Sequence, residues 1–327
     1  MNYENQPKIE LHLHLDCSLS FDVVKQLKPS VTLEEYQGSF IAPAKCADLA
    51  DYLKRAIKGF ELMQTKEQLR LVTFDLFKQL KADNVIYAEI RFAPLLHTLE
   101  GLSAEQVVEI VTEAVDLGIE EYGVHVGIIL CTLRHYSEEQ SMNTVSLVGQ
   151  FKDTHVVGFD IAADEDGFPI DNHVMAFQFA IANKINCTAH AGEAKGSESI
   201  WETLNNFEPK RIGHGVRSTE DENLLLYLKN NSVHLEICLT SNIQVNVFDK
   251  IENHSVDKIY NSGISMSINT DGRTISNTTL SKEYSLLHQT FNWNKVHFKK
   301  CNLEAIEHSF ASETIKTIIK SQIEKAY

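Results

Sequence analysis

Residues 8–15 alternate strictly, with Ile9, Leu11, Leu13 and Leu15 on one side and Glu10, His12 and His14 on the other. A period of two is the signature of an extended strand. Seven further short runs rich in β-branched and apolar residues follow at 85–92, 124–131, 156–161, 185–190, 210–214, 233–238 and 264–270. Between them lie stretches of helical period, at 103–122, 138–152, 173–184, 198–205 and 221–230. Eight strands alternating with helices predict an α/β fold, a (β/α)₈ TIM barrel. An open, doubly wound sheet competes, but it has no use for an eighth strand.

Two departures modify the simplest barrel. The stretch 17–82 between the first two strands is far longer than one helix needs and carries helical patterns at 21–27, 47–63 and 66–81. It reads as an ordered helical insertion which, leaving the end of the first strand, would sit over the barrel mouth as a lid. After the eighth strand, 281–291 and 303–325 supply closing helices. With no Pro/Gly/Ser-rich linker and no repeat, the reading is one domain over residues 1–327.

Composition narrows the class. There are 30 Lys and Arg against 45 Asp and Glu, a net charge of −15, which disfavours nucleic acid and anionic membrane as partners. Six scattered cysteines without a CxxC pair fit neither a disulfide framework nor a thiolate zinc site, and suit a reducing cytosol. The first sixteen residues lack the basic and apolar blocks of a signal peptide. The expectation is a cytoplasmic protein acting on small molecules.

The chemistry-bearing residues fall at strand ends. His12, His14 and Asp16 share one strand face, and inward-pointing His-x-His is a recurrent way to hold a divalent metal. His190 ends the fifth strand and is followed by Ala191, Gly192 and Glu193. His214 ends the sixth between two glycines, and Asp271 follows the eighth. Taken singly, Glu193 reads as a helix N-terminal acid and Asp271 as a turn residue. Together, three histidines and an aspartate converge on the rim where barrels of this type keep their active sites. Nitrogen and carboxylate donors without thiolate suit a catalytic Zn²⁺, with Glu193 and His214 left over for acid–base work. Other histidines, such as His97, His135, His173 and His308, read as surface or core.

The segments LHLHLD at 11–16, FDIAADE at 159–165, HAGE at 190–193, RIGHG at 211–215, CLTSN at 238–242 and SINTD at 267–271 resemble the adenosine deaminase family, in order and over nearly the whole chain. The resemblance implies hydrolytic deamination of adenosine and 2′-deoxyadenosine in purine salvage, with one zinc ion held by His12, His14, His190 and Asp271. It further implies that Glu193 meets purine N1, that His214 contacts the attacking water, and that Asp271 moves protons. Asp16 would meet the ribose 5′-hydroxyl beside His14, and the backbone of Ala163 would meet purine N3. Asp160, Glu236 and Ser241 would give support from behind, and Leu49, Tyr52 and Leu53 of the insertion would cover the purine. No organic cofactor is implied.

Three positions depart from the family pattern. Cys17 replaces a usual glycine, and strand parity points it away from His12 and His14 as a packing residue. Ala163 replaces another glycine, and its N–H contact survives if φ is negative. Gly272 replaces an aspartate that would reach purine N7, which leaves ring preference open. The competing readings are therefore a deaminase of adenine, of an N6-substituted adenosine or of another aminopurine, and a purine-binding protein with weak turnover. A two-metal hydrolase lacks a lysine placed to bridge the metals.

Overall fold

The computed structural model describes residues 3–327 and contains eight strands, all parallel to their neighbours. They are β1 (Lys8–His14), β2 (Val85–Phe92), β3 (His125–Leu133), β4 (Val156–Ala162), β5 (Thr188–Ala191), β6 (Arg211–His214), β7 (His234–Ile237) and β8 (Met266–Ile268). The ladder runs β1-β2-β3-β4 in one sheet and β5-β6-β7-β8 in another. The sheets meet at two isolated parallel bridges, Phe159 with Cys187 and Leu13 with Asp271, so the order of a (β/α)₈ barrel is completed at both seams.

The β8–β1 seam is stitched by side chains. Asn269 Oδ1 accepts the N–H groups of Leu11 (2.8 Å) and His12 (3.2 Å), doing the work of a missing strand residue. Beyond it, Asp271 N–H donates to the His12 carbonyl (3.1 Å) and His14 N–H to the Asp271 carbonyl (2.7 Å). This explains why β8 is shorter than the apolar run 264–270: its last residues bind β1 outside a regular ladder. The same seam fixes the backbones of three site residues against one another.

The insertion forms α1 (Phe21–Leu27), α2 (Leu33–Ser39), α3 (Leu49–Phe60) and α4 (Lys66–Ala82). Of these, α2, opened by the Thr32 side chain accepting from Glu35 N–H, has no counterpart in the sequence reading. The outer ring continues with α5 (Ala104–Tyr122), α6 (Glu138–Gln150), α7 (Val174–Ala182), α8 (Ser197–Phe207), α9 (Glu222–Asn230), α10 (Leu239–Gln244) and α11 (Val256–Asn261). Ser103 and Ser137 each open a helix with a reciprocal capping box to Gln106 and Gln140.

The C-terminal end corrects one expectation. The single helix read over 303–325 is two helices, α13 (Lys295–His308) and α14 (Glu313–Ala326), after α12 (Leu280–Phe291). The break has a purpose: Phe310 lies under the Arg211 guanidinium at 3.9 Å, and its N–H donates to Glu89 (2.6 Å). A continuous helix would keep that N–H for itself. Among the described residues no helix is long and apolar enough to cross a membrane.

The barrel interior is ionic as well as apolar. Arg91 of β2 crosses to Asp160 of β4 and Glu236 of β7, each at 2.8 Å, and Arg211 of β6 pairs with Glu89 (2.5 Å) and Glu236 (2.7 Å). All five side chains are fully buried. Breaking one partner of such a network costs about 3–5 kcal/mol, because it strands the others without water.

Candidate active site

His12 and His14 leave β1 toward the mouth of the barrel, where His190, His214 and Asp271 arrive from β5, β6 and the turn after β8. His14 Nε2 lies 3.2 Å from His190 Nε2 and 3.5 Å from Asp271 Oδ1, and His12 Nε2 lies 3.4 Å from the same oxygen. A tetrahedral shell with metal–nitrogen bonds of ~2.0–2.1 Å has edges of roughly 3.3 Å. The donors are thus spaced as ligands of one ion. His12 Nε2 is buried and without a hydrogen-bond partner, an unstable position for a nitrogen lone pair unless a cation takes it up. One donor each from His12, His190, His214 and Asp271 also lie within 4.8 Å of one another, so His214 joins the cluster as a fifth neighbour.

The tautomers follow from what stands behind the rings. His12 Nδ1 donates to Glu236 Oε2 (2.9 Å), and His190 Nδ1 donates to Asp160 Oδ1 (3.2 Å). Burial opposes charge on both carboxylates, but Arg91 with Arg211 and His12 holds Glu236 well below the usual range, and His190 with Arg91 does the same for Asp160. Each is therefore an acceptor only, which puts the imidazole proton on Nδ1 and frees Nε2. Burial also lowers the pKa values of His14 and His190, favouring the neutral rings a metal requires. Asp271 is held low in turn, burial being outweighed by the neighbouring His12, His14 and His214 imidazoles.

Glu193 has the opposite environment. It is buried, and burial first, then the charges of Asp271 and Glu165, push its pKa well above the carboxylate range. A chain of donors fixes its geometry: Val256 N–H donates to His254 Nδ1 (3.0 Å), and His254 Nε2–H to Asn242 Oδ1 (3.3 Å). Asn242 Nδ2 then donates to Glu193 Oε1 (3.2 Å) and His214 Nδ1 (3.1 Å). Oε1 being an acceptor, the acid proton belongs on Oε2. Nδ1 being an acceptor, neutral His214 carries its proton on Nε2 and offers a donor to the site.

Neither Asn242 nor His254 was found by sequence reasoning, which chose Ser241 one position earlier. Ser241 Oγ reaches only the Cys238 carbonyl, at 3.5 Å. On a helix one residue is a rotation of about 100°, so motif membership alone did not say which of the pair faces inward. Glu165, last of FDIAADE, was likewise missed. Its carboxylate accepts the N–H groups of Gly192 (2.7 Å), Glu193 (3.0 Å), Ala194 (2.6 Å) and Lys195 (3.0 Å) and the Ser199 hydroxyl (2.5 Å). It shapes the loop that carries Glu193. Glu165→Gln turns one acceptor oxygen into a donor facing donors, so we expect a loss of about 2–3 kcal/mol by urea denaturation, with a fall in activity. Unchanged stability would show that the loop holds itself.

Three site residues have left-handed backbones: Ala163 (φ 79°), His214 (φ 62°) and Asp271 (φ 65°). For Ala163 the condition set from the sequence, a negative φ, is not met. The alanine keeps the conformation a glycine would favour, at a cost of roughly 1–2 kcal/mol, so its N–H keeps the direction a glycine would give it. Cys17 packs, as expected, against the apolar cluster of Leu49, Tyr52 and Ile275, but parity is no guide to its direction: β1 ends at His14, and the side chain also lines the pocket. Gly213 leaves room for His12, whose Cε1 lies 3.0 Å from where a Cβ would stand.

Leu49, Tyr52 and Leu53 of α3 close the pocket over His14, Ala163, His190, Glu193, His214 and Asp271. The pocket between them has a volume of about 40 Å³. Beyond Leu49 and Glu193 lies a second cavity of about 390 Å³ lined by Asp48, Asp164, Asp166 and Glu220. Its one arginine, Arg217, is paired with Glu220 at 2.7 Å. Asp16 is buried at the inner side, with Sγ of Cys17 at 3.5 Å and Nε2 of His97 at 4.0 Å. Burial raises its pKa to about 6.

The chain is similar to known proteins over nearly its whole length. The adenosine deaminase family model matches residues 7–326. A curated adenosine deaminase of Clostridium acetobutylicum is 35% identical over 327 residues, covering 98% of both chains. Among solved structures, the adenine deaminase of Arthrobacter aurescens superposes with a TM-score of 0.89 at 24% identity, covering 98% of each chain. The N6-mAMP deaminase of Arabidopsis gives 0.88 at 25% identity, covering 99% of each.

Proposed function

Since the chain belongs to the adenosine deaminase family and is a deaminase, we propose that its substrates are adenosine and 2′-deoxyadenosine, hydrolysed in the cytosol to inosine and 2′-deoxyinosine plus ammonia. The observation that carries the reading is the pairing of donors 3.2–3.5 Å apart with a carboxyl group held neutral beside them. His12, His14, His190 and Asp271 would hold one Zn²⁺. Bound there, zinc supplies the Lewis acidity that lowers the pKa of water from about 15.7 to about 7.

The chain's own groups handle the protons. Attack at C6 makes that carbon tetrahedral, and electron density moves to N1, where Glu193 Oε2–H delivers a proton. His214 Nε2–H would donate to the oxygen that becomes attached to C6 and steady its charge. Asp271 accepts one proton of the attacking water and passes it to the amino group, which leaves as ammonia. The remaining water proton returns to Glu193 as the C6 carbonyl forms. Leu49, Tyr52 and Leu53 keep bulk water away while this happens.

Asp16 bears on the substrate's other end, and the outer cavity on its approach to the site. A buried carboxylate accepts a hydrogen bond from a 5′-hydroxyl and repels a 5′-phosphate, and a mouth lined by four acidic residues with one paired arginine does the same. We expect conversion of adenosine, followed by the absorbance change to inosine, to stop on chelation and return with Zn²⁺. Adenosine should exceed AMP by at least ~100-fold in kcat/KM at pH 7.5, a margin that Asp16→Asn should cut about tenfold. Equal turnover of AMP by the parent enzyme would overturn the nucleoside assignment.

A further inference from the structure

Cys17 is the one side chain in the pocket to which the deamination chemistry gives no task. It is half-buried, whereas the other five cysteines are buried. It stands with His14, Tyr52, Leu53 and Asp271 in the pocket wall. Directly behind it is Gly272. A Cβ built on Gly272 would lie 2.7 Å from Cys17 Cβ and 3.1 Å from the Cys17 carbonyl oxygen, where carbon atoms at rest keep ~3.5–4.0 Å.

Neither contact is with the end of a flexible chain, and the two loops cannot simply move apart. Thr274 and Ile275 N–H donate to the Cys17 carbonyl (3.0 and 3.4 Å), Arg273 N–H to Ser18 Oγ (3.2 Å), and Thr274 Oγ1 to the Leu19 carbonyl (2.5 Å). The Ser276 N–H closes the turn on the Gly272 carbonyl at 2.8 Å. A side chain at 272 therefore excludes one at 17, and the reverse.

We infer that Cys17 and Gly272 act as a matched pair that determines ring specificity, so that the imidazole edge of the purine meets a thiol and receives no side-chain hydrogen bond from position 272. This rests on reading the pocket as an aminopurine site. In that ring C6 is flanked on one side by N1 and on the other by the C5–N7 edge. Glu193, after β5, takes the N1 side, and the opposite side of the cluster is formed by Asp271, Gly272 and Cys17, where β8 meets β1. The thiol donates to Asp16 Oδ1 at 3.5 Å, so even its weak donor has a partner before substrate arrives. An N7 lone pair is then worth little here, and a carbon in its place is tolerated.

The test compares the parent, Cys17→Gly, Gly272→Asp and the double variant on adenosine and 7-deazaadenosine, together with their melting temperatures. The parent should favour adenosine by less than ~10-fold in kcat/KM. Gly272→Asp alone should lose activity on both substrates and melt several degrees lower. The double variant should recover both and raise preference for adenosine ~10- to 100-fold, the discrimination gained by one buried hydrogen bond. A Gly272→Asp enzyme as stable and selective as the double variant overturns the pairing, and so does a double variant no better than Gly272→Asp. Absence of turnover on any aminopurine by the parent would overturn the proposed function instead, while the melting temperatures would still decide whether the two positions exclude each other.

Discussion

Exchanging Glu193 for glutamine should lower kcat on adenosine about 10²- to 10⁴-fold while KM changes little, the range expected for removing a positioned proton donor. The substitution is nearly isosteric. The glutamine Oε1 can still accept from Asn242, at present 3.2 Å from the carboxyl oxygen, and its NH₂ can still donate to N1. It cannot give the proton up. Binding is thereby separated from transfer. The pH dependence carries a second signature. Burial, then Asp271 and Glu165, raise the carboxyl pKa, so the folded protein prefers the neutral acid. Its contribution to stability is complete below the unfolded value of about 4.3 and is lost as pH rises through the folded one. Activity that depends on the acid falls over the same upper limb. Glu193→Gln should remove this part of the alkaline destabilisation even as it removes activity. A variant keeping more than a tenth of parental kcat would show that N1 is protonated from elsewhere.

What could be read from the sequence was set by how locally each feature is encoded. The strand carrying His12 and His14 was legible because alternation is a property of adjacent residues. The eight-fold alternation of strands and helices survived even though β8 proved short, because the order of elements tolerates lost ends. Supports of the site were harder. Asp160 and Glu236 sit at inward strand positions and were found by motif, but Arg91, which binds both, carries no local mark. Its role exists only when β2, β4 and β7 face one another across the ring. His254 is equally silent, lying in a loop twelve residues from the Asn242 that it orients. The left-handed φ of Ala163 was left open for a related reason: residue type suggests conformation, and here the surroundings impose it. Cys17 shows the limit of parity, which ends where the strand does.

Removal of the metal should be as damaging as loss of the acid, and His12→Ala is the clean way to test it by substitution. His12 is wedged between the proposed ion and Glu236, so its loss opens the ligand set without dismantling what lies behind. Glu236 keeps Arg91 (2.8 Å), Arg211 (2.7 Å) and Thr188 (2.9 Å), and no buried charge is stranded. We expect His12→Ala to fold, to contain no zinc by elemental analysis where the parent carries about one equivalent, and to lose at least ~10³-fold in kcat. Asp160→Asn provides the graded control. His190 Nδ1 stands between the two oxygens, 3.2 Å from Oδ1 and 3.1 Å from the Oδ2 that Arg91 binds, so an amide whose oxygen stays with Arg91 sets an NH₂ against His190 Nδ1 and loosens its hold on the imidazole proton. If it turns to satisfy His190, Arg91 meets a donor instead. Either arrangement weakens the site without deleting a ligand, and zinc affinity should fall about 10- to 100-fold in competition with a chelator. Parental zinc content and affinity in both variants would mean that the three imidazoles and Asp271 are gathered for some other purpose. Zinc lost from His12→Ala but held normally by Asp160→Asn would confine the fault to the tautomer argument.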